Sequence, residues 1–98
     1  MDKTAEDLKL RTRRFCVAIL DFVDTISRTP SGDAVARQLA RSGLGVAGNY
    51  RGACRGRSHA EFTARLGVVL EEADESGQLC AIFSKACTTA RIREHARK

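Results

Sequence analysis

Apolar residues in this chain advance by alternating steps of four and three almost from end to end, the spacing of one face of an α-helix. Leu8, Thr12, Phe15, Ile19, Phe22 and Ile26 form the first such run and predict an amphipathic helix over residues 4–27. Thr29-Pro30-Ser31-Gly32 then reads as a break. Proline cannot continue a hydrogen-bonded ladder, Gly32 offers turn freedom, and Ser31 or Asp33 is expected to cap a second helix over 33–55. Gly56-Arg57-Ser58 is the next break, with Ser58 three residues before Glu61 in capping-box spacing.

The third run, Phe62, Leu66, Val69, Ala73, Ser76, Cys80, Phe83, Cys87 and Ala90, keeps its phase throughout, and only Gly77 interrupts it. One glycine costs a helix about 1 kcal/mol relative to alanine, too little to end a helix whose two halves share a face. A single helix over residues 58–95 is therefore expected, with a hairpin at Ser76-Gly77-Gln78 as the competing expectation. Such a helix overhangs the first two. Leu79, Ile82, Phe83 and Cys87 would then lack a partner in their own chain, and a second copy is expected to cover them. The fold expected is all-α, an up-and-down bundle of the four-helix type in which one domain of 98 residues supplies three helices and another subunit completes the set.

Winding the second helix divides its residues sharply. Arg37, Arg41, Arg51 and Arg55 fall within about 80° of one another, while Val35, Leu39, Ser42, Val46, Asn49 and Ala53 gather opposite. The segment also holds Gly43, Gly45 and Gly48 in the G-x-G-x-x-G spacing of dinucleotide-binding turns. That motif works where a strand feeds a tight turn and a helix N-terminus meets a pyrophosphate; a helix precedes it here, so no cofactor is expected. Gly48, Gly52 and Gly56 stack along one helix edge and are expected to mark a close crossing, with Gly48 and Gly52 candidates for a contact between subunits. An alternative is that these glycines clear space beside Arg51 and Arg55 for a phosphate backbone.

Charge adds a direction to this picture. The chain has 17 Lys and Arg against 12 Asp and Glu, a net charge of +5, which suits a polyanionic partner. Arginine dominates the cations and can hold phosphate or carboxylate through two bonds. No signal-like run or membrane span is read, so a cytoplasmic protein is expected, with Cys16, Cys54, Cys80 and Cys87 as reduced, buried small hydrophobes. Catalysis finds little footing. Glu71, Glu72, Asp74 and Glu75 fan around more than half of a helix, His59 and His95 lie near helix ends without ligands at metal spacing, and Ser42 and Ser58 lack an evident base. Neither an enzyme nor a metal site is expected.

A run of separated residues carries a resemblance. Gln38-Leu39-Ala40-Arg41-Ser42, Gly45, Ala47-Gly48-Asn49-Tyr50-Arg51, Ala53-Cys54-Arg55, Ser58, Glu61-Phe62, Leu66 and Glu71-Glu72-Ala73-Asp74-Glu75-Ser76 resemble the bacterial four-helix-bundle proteins first noticed as products of intervening sequences in 23S ribosomal RNA genes. Accessory proteins of diversity-generating retroelements are similar too. The resemblance implies a helical bundle, often assembled into rings, without enzymatic activity; for the retroelement proteins it implies a reverse transcriptase and nucleic acid as partners. Where members turn from a third to a fourth helix, this chain passes from Ser76 to Leu79 through Gly77 and Gln78.

Two functions are expected to compete for the arginines. In one, Arg37, Arg41, Arg51, Arg55 and Arg57 contact RNA or DNA phosphates without reading sequence. In the other they pair with Glu61, Glu72 and Glu75 of another helix or subunit, and the protein is an assembly scaffold.

Overall fold

The first helix ends earlier than its apolar spacing suggests, and the reason is local. In the computed structural model, which describes the backbone of residues 3–97 and the side chains of that span apart from 86–91, 94 and 97, α1 runs Lys3–Asp24. Thr25 and Ile26 then close tight turns, their N–H groups donating to the Phe22 and Val23 carbonyls at 3.0 and 3.1 Å. The Thr25 hydroxyl also donates to the Phe22 carbonyl at 2.7 Å, the competition with the helix ladder that such side chains offer. Ile26 is thereby tucked into the core although it lies past the helix end.

The second helix begins earlier than expected. α2 runs Pro30–Cys54, and its cap is Thr29, neither Ser31 nor Asp33. Thr29 is extended, and its hydroxyl accepts from the Gly32 N–H at 3.0 Å. Pro30 does not interrupt a helix here but opens one, at a position where its missing N–H would have had no partner. Asp33, in the first turn, instead accepts from Arg28 Nε at 3.0 Å. Gly32 serves close packing rather than turn freedom: its φ is not positive, and a Cβ there would collide with the Ser27 carbonyl.

At the second break Ser58 Oγ accepts from the Glu61 N–H at 3.1 Å, and the Glu61 carboxylate accepts from the Arg57 N–H at 3.1 Å. The reciprocal cap expected from Ser58 and Glu61 is present, shifted by one residue on its return leg. α3 then runs His59–Arg97 without a break at Gly77. Its 39 residues correspond to about 58 Å of helix, close to the 60 Å long dimension of the molecule.

α2 lies between α1 and α3, antiparallel to both, while α1 and α3 meet only through side chains among the described residues. Two apolar clusters form the core. Ile19, Ile26 and Leu39 centre one, and Val46, Tyr50 and Val69 the other, with Phe15 touching both. Buried Ser42 and Ser76 join α2 to α3, their hydroxyls 2.6 Å apart. α1 packs tightly on α2 at Gly43, where an added Cβ would stand 2.9 Å from Ile19 Cγ2.

Three expectations about packing are corrected or narrowed. Leu79 and Phe83 do have partners in their own chain: both pack on the first cluster, and the Phe83 ring meets Phe22 edge-on at 5.8 Å. Val35 and Ala36 of α2 pack on the same cluster. Ile82, by contrast, is 61% exposed, and the side chain of Cys87 lies outside the described residues. The expected glycine crossing is also displaced, since Gly48 faces open space and Gly52 lies under the flexible end of Arg65, while Gly43 makes the tight contact. Of the cysteines, Cys16 is buried but Cys54 and Cys80 only half-buried, all three unpaired.

Candidate nucleic-acid interface

The guanidinium stripe of α2 is not one continuous surface once the other helices are in place. Arg41 reaches across to α3, where its Nη1 lies 3.2 Å from Glu72 Oε2 and its Nη2 bonds Glu75. The bond to Glu75, with the charges of both carboxylates, holds the Arg41 pKa above its ordinary value. Gly45 lies close beside this pair. A Cβ at Gly45 would stand 3.0 Å from Glu72 Cδ, so the bare glycine lets the Glu72 stem lie along α2 and aim at Arg41.

Two of the three glycines in the motif thus have a packing account. Gly43 admits Ile19, Gly45 admits Glu72, and Gly48 meets nothing, all three within the interior of α2. No strand-to-helix turn exists here to cradle a phosphate.

The other arginines separate along the molecule. Arg37 sits at the end where α1 meets α2, in a groove shared with Asp24, Arg28 and Asp33. Arg28 and Asp33 already pair there. Arg51 lies at the opposite end, in a shallow groove between α1 and α2 that Lys9, Thr12 and Arg13 also line, with Glu6 at 3.5 Å from Lys9. Arg55 and Arg57 are exposed in the turn that follows α2, and Arg65 extends from the first part of α3 over Gly52. One end of the bundle therefore gathers cations from all three helices. The end where α1 meets α2 carries Asp24 and Asp33 beside its arginines, and the acids from Glu71 to Glu75 lie on α3.

Lys9, Arg13 and Arg65 were not among the sequence candidates. The signal was available: an antiparallel hairpin bent at residues 25–29 must lay the basic first half of α1 beside the last turns of α2. Of the remaining chemical candidates, Asp74 accepts from Gln78 Nε2 at 3.0 Å, while Glu71, His59 and His95 are exposed. Tyr50, the one tyrosine, is 3% exposed and packs in the second cluster, so it offers no ring for stacking on a base. Among the described residues no helix is long and apolar enough to cross a membrane. Comparison with protein-family models, curated proteins and solved structures finds no match.

Proposed function

We propose that this protein is a non-enzymatic, basic, homo-oligomeric helical-bundle adaptor that contacts RNA or DNA through phosphates, with little sequence preference. The observation that carries this reading is the convergence of Lys9, Arg13, Arg51, Arg55, Arg57 and Arg65 at one end of the bundle. Several cations within reach of one backbone neutralise successive phosphates, and the release of counterions supplies most of such affinity. Burial of Tyr50 argues against single-strand readout by stacking. Arg51 and Arg55 of the stripe, joined by Arg57, are assigned to the nucleic acid, and Arg41 to holding α3 against α2. In this reading a further helical layer of the four-helix type comes from another copy, since α1 and α3 meet through side chains alone.

The test is retention of labelled RNA and DNA by the purified protein across a salt series. The logarithm of affinity should fall linearly with the logarithm of salt, by about 0.7 to 0.9 per phosphate neutralised. Arg51→Ala and Arg55→Ala should each flatten that slope by about one contact, whereas Arg41→Ala leaves it unchanged. No retention even at low salt would overturn the proposal, as would equal losses from Arg41→Ala and Arg51→Ala.

The Arg41 pairing favours a second reading, in which arginines serve assembly and the protein is a scaffold or an accessory subunit of a reverse transcriptase. Under it, nucleic acid is not retained by the protein alone, and replacing Arg41 loosens the bundle.

A further inference from the structure

α3 carries a charge pattern that is complementary to its own reversal. Glu71, Ile82 and Arg93 are spaced eleven residues apart. Eleven residues make three turns to within about 20°, so the three positions lie on one line along the helix, each about 16 Å from the next. All three are exposed, Ile82 at 61%. The line runs along the side of α3 turned away from buried Val69, Ser76 and half-buried Phe83.

We infer that two copies of this chain pair antiparallel through α3, with the twofold axis at Ile82. This rests on the homo-oligomeric part of the function proposed above and gives it a register. The argument is charge complementarity. Reversing the helix about Ile82 sets Arg93 of each copy opposite Glu71 of the other, forming two equivalent ion pairs on either side of an Ile82–Ile82 contact. A twofold interface must be self-complementary in this way, each residue meeting its counterpart's partner. A parallel pairing in register would instead set Glu71 against Glu71 and Arg93 against Arg93, which repels at both ends. Glu72 and Glu75, which pair with Arg41 within the chain, take no part in the antiparallel pairing.

Charge reversal with rescue tests the register. Sedimentation equilibrium of the full chain at low salt is expected to give twice the 10.7 kDa monomer mass. Glu71→Arg alone and Arg93→Glu alone should each weaken association by about tenfold or more, since each puts like charges together at both ends. The double variant Glu71→Arg/Arg93→Glu restores opposite pairs and should return to within about threefold of the parent. Independently, mild oxidation of Ile82→Cys should yield a covalent dimer faster than oxidation of the parent chain, because its two thiols meet at the axis. A monomer at every concentration overturns both this inference and the oligomeric reading. An oligomer that ignores the reversals, or is not rescued by the double variant, overturns the register alone; so does an Ile82→Cys chain that crosslinks no faster than the parent. Retention of nucleic acid is measured separately, so its failure is not confused with either result.

Discussion

Placing a methyl group on Gly43 should destabilise the protein, although alanine is the better helix former. The gain from removing a mid-helix glycine is about 1 kcal/mol. Against it stands Ile19, whose Cγ2, Cβ and Cγ1 would lie 2.9, 3.1 and 3.5 Å from the new Cβ. Ile19 is itself buried and β-branched, so it has almost no alternative rotamer within α1. The helices must part by several tenths of an ångström, an overpacking that costs about 1–3 kcal/mol. The balance is a net loss of about 1 kcal/mol. Gly77→Ala supplies the control, because nothing lies within 4 Å of its added Cβ and the full gain of about 1 kcal/mol should appear. The decisive measurement is the cycle with Ile19→Ala, a change that itself costs about 2–5 kcal/mol. With both γ carbons gone, only the Cβ of residue 19, at 3.1 Å, still presses on the new methyl, so Gly43→Ala should be markedly less destabilising there than in the parent. Urea unfolding followed by circular dichroism, at one fixed protein concentration so that association contributes equally, gives each corner of the cycle. If Gly43→Ala stabilises the parent as much as Gly77→Ala does, or acts alike in both backgrounds, α1 and α2 do not cross at this register.

Much of this fold is legible in the sequence because helices declare themselves by period. The alternating steps of four and three locate all three helices, and unbroken phase through Ser76 and Cys80 is enough to carry α3 past Gly77. Helix ends are legible only when capping candidates are ranked by mechanism. Thr29, Ser31 and Asp33 all have the chemistry of a cap, and what selects Thr29 is Pro30, whose absent N–H belongs at the first helical position. The end of α1 depends on Thr25, a side chain that takes the Phe22 carbonyl for itself.

The charged surface is less legible, since a helical wheel describes one helix in isolation. Arg41 and Arg51 share a face of α2, yet one is bound to two carboxylates of α3 and the other opens into a groove beside α1. Arg41 is neutralised where Glu72 lies close against Gly45, a contact invisible until the two helices are side by side. Pairing with Glu72 and Glu75 was one sequence expectation, and for Arg41 it occurs within the same chain; Glu61 is instead used to cap α3. The overhang of α3 is readable from helix lengths, but its extent is not: Leu79 and Phe83 pack on the cluster of Ile19, Ile26 and Leu39, and Phe83 meets Phe22.

Two further predictions concern the joints between helices. Thr29→Ala should cost about 1 kcal/mol in urea unfolding while Ser31→Ala costs almost nothing, because only the Thr29 hydroxyl holds the Gly32 N–H. Equal losses would return the cap to an open question. The Ser42–Ser76 pair should show coupling of about 1 kcal/mol in a double-mutant cycle. Two hydroxyl protons serve three contacts there: 2.6 Å between the hydroxyls, 3.2 Å from Ser42 to the Leu39 carbonyl, and 3.1 Å from Ser76 to the Glu72 carbonyl. Either serine alone can still donate to its own helix, so Ser42→Ala or Ser76→Ala loses the bond across the interface without stranding a buried donor. The loss of about 1 kcal/mol is partly offset by the better helix propensity of alanine. Replacing the second serine cannot lose that bond again, and the double variant should therefore be more stable than the sum of the single effects. If the two changes simply add, the hydroxyls do not bond across the interface, and the register of α2 against α3 rests on apolar packing and the Arg41 pair alone.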